Sequence, residues 1–323
     1  MPKVDILSRL RPETLQALAL SRQQNASFQP SAAGAAGAAN PLQAARQGYN
    51  HERAYWNSFA VPLPAVRDLA LDTGHGTVAL RLYQPTLGDP LPVLLYAHGG
   101  GFMLGNLDTH DRICRLLARL SGWAVLAIDY ALAPEQQFPV QPNQVFAVLQ
   151  HVAAHGSAWG LDPSRIAVAG DSAGAHLSLG ATLQWRDGGA PPLVGQLLYY
   201  GAYGLQDSAS RRLYGWAELD GLGDEDTAQY LNAYTATEQD RNHPRHNLLR
   251  ADMAGLPPTF IAAVAYDPLR DDSLALAEFC KERGVPHRLA MYEGVLHGFL
   301  HYSAVEPLAL QALEDGAAFL KAL

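Results

Sequence analysis

The run Arg165-Ile-Ala-Val-Ala-Gly170-Asp-Ser172-Ala-Gly174-Ala-His-Leu-Ser-Leu constrains this chain more than any other stretch. Its first part is short, apolar and β-branched, the pattern of a buried strand. After Gly174 the apolar spacing turns helical, through Ala175, Leu177, Leu179, Ala181 and Leu183. The change of period falls on Gly-Asp-Ser-Ala-Gly, which matches the Gly-x-Ser-x-Gly pattern of a serine on a sharp strand-to-helix turn. Such a serine sits in strained backbone. The positions two before and two after it must lack side chains so that strand and helix can pass close together. Ser172 is thereby predicted at the carboxyl end of a strand and the amino end of a helix, where the helix dipole favours developing negative charge.

The rest of the chain has to supply a body for that turn. Its 323 residues are 48% apolar and 17% charged, enough for one large α/β domain with insertions or for two ordinary domains. The formal charge of -8 argues against a nucleic-acid partner, which would demand a basic face. No apolar stretch reaches the roughly 18 residues of a membrane span. The amino terminus has scattered charges and no apolar core segment, so a secretory signal is not expected. Cys114 and Cys280 lie in separate helical patterns and outside any motif. They read as buried small hydrophobes in a chain whose default compartment is a reducing cytoplasm.

Taken in order, residues 3 to 24 have helical spacing, and Ser31-Ala-Ala-Gly-Ala-Ala-Gly-Ala-Ala-Asn40 reads as a mobile link. A helix is expected from Pro41 to about Trp56, since proline suits a first helical turn. Residues 66 to 83 read as an antiparallel hairpin at a sheet edge, turning at Asp72-Thr-Gly-His-Gly76. Unalternated apolar runs then follow at 92–97, 124–129, 194–201, 258–266 and 287–292. Between and after them come helical patterns at 107–121, 139–155, 272–283 and 304–322. Runs of that kind separated by helices predict a mostly parallel central sheet covered on both faces by helices. Residues 204 to 250 are polar, break the rhythm, and read as a helical insertion over the carboxyl edge.

His98-Gly99-Gly100-Gly101-Phe102 directly follows the strand ending at Ala97. No Gly-x-Gly-x-x-Gly or Gly-Lys-Ser/Thr follows to make it a phosphate cradle. Glycine backbones can instead approach a reacting carbonyl and aim N–H groups at an oxygen gaining charge, and the N–H of Ala173 offers a further donor. A serine hydroxyl needs a base to become a nucleophile. Among twelve histidines His297 is best placed, on a loop between the last apolar strand and the last helix. His287 and His176 sit worse, and His151 and His155 have a metal-like spacing but lack a third ligand nearby. Asp267, at the end of the 258–266 strand, can orient the histidine. Asp271 and Asp272 are the competitors, with helix capping as their structural role. The resulting order Ser, Asp, His is the one expected of an α/β-hydrolase.

His98-Gly-Gly-Gly, Gly170-Asp-Ser-Ala-Gly174, Asp267-Pro-Leu-Arg-Asp and His297-Gly-Phe together resemble the bacterial hormone-sensitive-lipase-like esterases. Tyr130-Ala-Leu-Ala-Pro-Glu135 with Phe138-Pro139 fits the same family, as an architectural element. Gly105-Asn-Leu-Asp-Thr-His-Asp-Arg112, Asp207-Ser-Ala-Ser-Arg-Arg212 and Leu296-His-Gly-Phe-Leu-His-Tyr-Ser303 look closer still to its acetyl esterases. The resemblance covers about residues 50 to 323. It implies an α/β-hydrolase fold with a helical cap, made by residues 1–60 and by an insertion at about 204–250 of the 61–323 domain. It implies Ser172, Asp267 and His297 as a triad, with His98, Gly99, Gly100, Gly101 and Ala173 around an oxyanion hole. It also implies short-chain acyl esters as substrates, without cofactor or metal.

Phe102, Met103, Leu104, Tyr203 and Trp216 are bulky enough to crowd an acyl pocket, which would favour acetyl to about hexanoyl groups. A peptidase or amidase of the same fold and a hydrolase-fold protein without turnover are the alternatives. A true lipase is disfavoured because the cap segments lack a broad apolar patch. A homo-oligomer is compatible with the sequence, which does not fix the assembly state.

Overall fold

Eight strands, found among residues 3–29 and 40–323 that the computed structural model describes, form one sheet. They are β1 (Ala65–Asp72), β2 (Thr77–Gln84), β3 (Leu91–Ala97), β4 (Ala124–Asp129), β5 (Leu161–Asp171), β6 (Gly195–Tyr199), β7 (Thr259–Val264) and β8 (His287–Tyr292). The spatial order is β1-β2-β4-β3-β5-β6-β7-β8. β1 and β2 form the expected edge hairpin, β2 meets β4 antiparallel, and the remaining neighbours are parallel. The alanine-glycine stretch expected as a link lies outside the described residues, Asn40 excepted. The Asn40 side chain accepts from the Leu42 N–H and so caps the helix Pro41–Asn57.

The interior strands read as unbroken apolar runs because each of their faces is covered. Leu94 and Tyr96 of β3, Val125 of β4 and Ala167 of β5 point into one core, shared with the helices Asp111–Ser121 and Pro307–Lys321. Their neighbours Val93, Leu95, Leu126 and Val168 point into the other, with the helices Val140–His155 and Ala173–Asp187. Side chains alternate along a strand, so a two-sided core demands apolar residues at every position. Both cysteines are buried and unpaired.

Element boundaries moved where side chains compete for the backbone. The first helical pattern resolves into a short turn at Leu7–Arg9 and the helix Pro12–Ser27. The helix expected from residue 107 begins at Asp111, because the Asn106 carboxamide accepts the N–H groups of Asp108 and Thr109 and holds a turn there. Residues 204–250 hold four short α-helices, Ala209–Leu213, Ala217–Asp220, Asp224–Tyr234 and Glu238–Asn242, and the 3-10 turn Leu248–Arg250. The helix Pro12–Ser27 is tied to the body through buried Glu306, which accepts from Thr14 Oγ1 at 2.7 Å and from Arg11 Nε at 3.2 Å.

Candidate active site

Two glycines allow the turn at Ser172. A Cβ on Gly174 would lie 2.0 Å from the Ala97 carbonyl oxygen, and one on Gly170 would lie 2.3 Å from the Gly174 carbonyl carbon. Both distances are far inside contact, so β3, β5 and the helix Ala173–Asp187 can converge only with hydrogen at these positions. Ser172 itself has φ 53° and ψ -119°, a region that L side chains rarely occupy. Its N–H donates to the Tyr199 carbonyl at 2.9 Å, which ties the turn to the end of β6.

Three side chains far apart in sequence meet there. The Ser172 hydroxyl oxygen is 2.8 Å from His297 Nε2, and His297 Nδ1 is 2.6 Å from Asp267 Oδ2. The other Asp267 oxygen accepts the Leu269 N–H at 2.7 Å, so the fully buried carboxylate has a fixed orientation. Burial pushes the His297 imidazole down, but attraction and hydrogen bonding from Asp267 outweigh it and the net shift is upward. A hydroxyl in this chain of contacts can pass its proton to the imidazole as it attacks an electrophile, and the carboxylate stabilises the imidazolium that results.

The glycine loop divides its labour. The Gly99 N–H is already committed, donating to Asp171 Oδ1 at 2.9 Å, and the same oxygen accepts from Tyr96 Oη at 2.7 Å. The His98 ring stacks on Tyr130 with centroids 4.3 Å apart, while the Tyr130 hydroxyl donates to the His98 carbonyl. His98 and Gly99, expected among the oxyanion-hole residues, brace the loop through these contacts, and the Gly99 N–H is turned to Asp171. Gly100 and Gly101 (φ 118° and 60°) line the cavities at Ser172 together with Ala173.

Asp171, which no motif singles out, anchors this loop. Burial would push its carboxyl up, but the His110 imidazole and the Tyr96 hydroxyl outweigh that and hold it at about 2. His110, Asp171 and His301 bring one potential metal-ligand atom each to within 4.8 Å of one another. One of those residues, Asp171, already anchors the glycine loop. The signal in the sequence was an acidic residue inside an otherwise small, apolar turn.

Of the bulky residues expected around the acyl group, Phe102 and Leu104 do line the space at Ser172. Tyr203 and Trp216 do not. Tyr203 is fully buried among Leu179, Leu198 and Leu276, and Trp216 packs with Ile6 and Leu10 and donates its indole N–H to the Val4 carbonyl. Met103 is buried as well. In their place stand Leu219, Asp220, Leu222, Tyr230 and Leu231 from the 204–250 segment. Asp271 and Asp272 do not cap the helix Arg270–Glu282 with their side chains. The Asp272 carboxylate accepts the N–H groups of Tyr203, Gly204 and Leu205, and Asp271 accepts that of Ser210. His151 and His155 lie side by side on the surface of the helix Val140–His155.

Ser172 stands where two cavities meet. One, of about 480 Å³, holds His297, Gly298 and His301 with Tyr49, Glu52 and Arg53. The other, of about 470 Å³, holds Ala173, Phe102, His176, Leu205, Leu222 and Leu231. Gly101, Leu222 and Tyr230 border both.

Comparison with known proteins identifies the family and the fold. Residues 94–301 match a family model described as alpha/beta hydrolase fold. The chain is 44% identical over 284 residues to an acetyl esterase of Salmonella schwarzengrund (strain CVM19633), covering 87% of each protein. A hyperthermophilic esterase from the archaeon Pyrobaculum calidifontis superposes with a TM-score of 0.88 at 32% identity, over 97% of this chain and 98% of that one. A thermostable carboxylesterase cloned from a metagenomic library gives 0.84 at 33% identity, over 87% and 97%. With the sheet order and the Gly-x-Ser-x-Gly turn already in hand, the chain belongs to the hormone-sensitive-lipase-like branch of the α/β-hydrolase family and is a carboxylic ester hydrolase.

Proposed function

We propose that Ser172, His297 and Asp267 form the catalytic triad of a short-chain acyl esterase working through an acyl-enzyme. The carrying observation is the unbroken contact from Ser172 Oγ through His297 to Asp267, at 2.8 and 2.6 Å. Ser172 attacks the acyl carbon as its proton passes to His297, and the N–H groups of Gly100, Gly101 and Ala173 receive the oxyanion. His297 then protonates the leaving alcohol, and water repeats the sequence to release the acid. One oxyanion donor contributes about 3 kcal/mol to the transition state.

The two cavities take the two halves of the ester. The leaving oxygen must come within hydrogen-bond reach of His297 Nε2, so the alcohol extends into the cavity that contains His297. The acyl group then occupies the one beside Ala173. That cavity combines apolar walls at Phe102, Leu222 and Leu231 with polar groups at Glu238, Arg241, Asn242 and His246. An alkyl chain long enough to reach those groups would strip them of solvent without replacing its hydrogen bonds. This supports acetyl to about hexanoyl groups. The name of the Salmonella relative, acetyl esterase, points the same way. The helices Pro12–Ser27 and Pro41–Asn57 and the segment 204–250 act as a cap, the helices walling the cavity that holds His297 and the segment walling both. Ser172→Ala is expected to abolish hydrolysis of p-nitrophenyl acetate, and a p-nitrophenyl ester series should peak at or below hexanoyl. Retained turnover in the Ser172→Ala protein would overturn the assignment of the nucleophile.

A further inference from the structure

His176 lies one turn into the helix that begins after Ser172, and its N–H donates to the Ser172 carbonyl at 3.2 Å. Four residues of helix rise by about 6 Å, so its ring stands beside the acyl half of a substrate bound at Ser172. The side chain is 4% exposed and borders the cavity assigned above to the acyl group. Its protonation pattern is fixed by a neighbour that can only accept: Nδ1 lies 2.7 Å from the Ala202 carbonyl and therefore carries the hydrogen. Nε2 is left as a bare acceptor, buried and without a hydrogen-bond partner. His246, with ring centroids 5.6 Å away, cannot supply the missing proton, because its own Nδ1 is turned to the Arg241 carbonyl at 3.1 Å. The Tyr234 hydroxyl, on the same cavity, is also buried and unpartnered. Burial, with His246 adding to it, pushes the His176 imidazole down to about 3, which keeps the ring neutral near pH 7.

A buried acceptor with no donor is a standing cost unless something that enters the site can pay it. A hydroxyl group can donate to His176 Nε2 and can also accept from a donor such as Tyr234 Oη; an alkyl group can do neither. We propose that His176 is a specificity-determining residue that hydrogen-bonds a hydroxyl on the acyl chain, and that the preferred short acyl groups are hydroxyacyl groups substituted at the third or fourth carbon. The Phe102 ring, on the same cavity, meets His176 edge-on with centroids 5.5 Å apart and stacks on Tyr234 with centroids 3.7 Å apart. This inference rests on the assignment of the acyl cavity made above.

The test compares p-nitrophenyl butyrate with the two enantiomers of p-nitrophenyl 3-hydroxybutyrate, which share a leaving group and nearly share a shape. The wild type should turn over one enantiomer with kcat/KM about tenfold above butyrate, the value of one added hydrogen bond. His176→Met should bring that ratio to about one or below, mainly through KM. His176→Gln, whose carboxamide oxygen can accept in the same place, should restore part of it. A wild type that prefers butyrate to both enantiomers would overturn the proposal, whatever the variants do. So would a ratio that stays the same in wild type, His176→Met and His176→Gln. In either case Ser172-dependent hydrolysis of the butyrate itself would leave the esterase reading standing, so the two claims fail separately.

Discussion

The turn at Ser172 and the segment that covers it are built on opposite terms. The helix Ala173–Asp187 has ten buried residues in fifteen, and its first turn is wedged against β3 with no room for a methyl group. The helix Asp224–Tyr234 has one buried residue in eleven, and Gly221 before it has nothing within 4 Å of its would-be Cβ. One region holds a strained geometry and is surrounded by packing that permits no alternative. The other shapes two cavities and is held by capping hydrogen bonds at helix starts, from the Thr237 N–H to Asp240 and from the Gly223 N–H to Asp226. Close packing lies under Ser172 and looser packing above it.

Paired substitutions break that contrast most sharply. Gly174→Ala should cost more than about 4 kcal/mol in a denaturant titration and abolish esterase activity, because a backbone carbonyl occupies the space a Cβ needs. Gly221→Ala, at φ 65° in open surroundings, should cost only about 1 kcal/mol from backbone strain. Equal costs would mean that the turn tolerates more movement than its packing implies. At the triad, Asp267→Ala should lower kcat for p-nitrophenyl acetate by three to four orders of magnitude or about that. Asp271→Ala, which loses the Ser210 N–H contact and the Arg270 pair, should lower it by less than about tenfold. Hydrogen exchange should find amides in 217–234 at least about a hundredfold less protected than those in 174–183.

The smallest effect is in the pH profile. His297 must be neutral to accept the serine proton, so kcat/KM should rise with pH through a midpoint above the ordinary 6.5. Asp220, on the covering segment, has its carboxyl pushed up to about 6 by burial, and its negative charge favours protonation of His297. Removing that charge with Asp220→Asn should therefore move the acid limb to lower pH by a fraction of a pH unit. A shift toward higher pH would contradict the sign of this coupling.

How far each region could be read from residues follows the same division. The strand-turn-helix at Ser172, the glycine loop and the last-strand histidine are local patterns, because steric limits act between near neighbours in sequence. Asp267 was separable from Asp271 by its place at a strand end. The braces were not legible: the bond from Gly99 to Asp171 and the stack of His98 on Tyr130 join residues 72 and 32 positions apart. The cavity walls were the least legible. Tyr203 and Trp216 have the composition of pocket residues, yet contacts with Leu276 and with Ile6 draw them into cores formed by remote segments. Asp220 and Tyr230 carry no motif, and short surface helices leave no apolar period to show which side faces the substrate.

The central claim is that one hydroxyl, activated by one imidazole, becomes covalently acylated. The most direct measurement is intact-protein mass spectrometry after incubation with a short-chain alkyl p-nitrophenyl phosphonate, followed by peptide mapping. A single equivalent should attach to Ser172, with loss of esterase activity in proportion, and neither Ser172→Ala nor His297→Ala should label at a comparable rate. A stoichiometric adduct on another residue, or full esterase activity in protein labelled at Ser172, would contradict it.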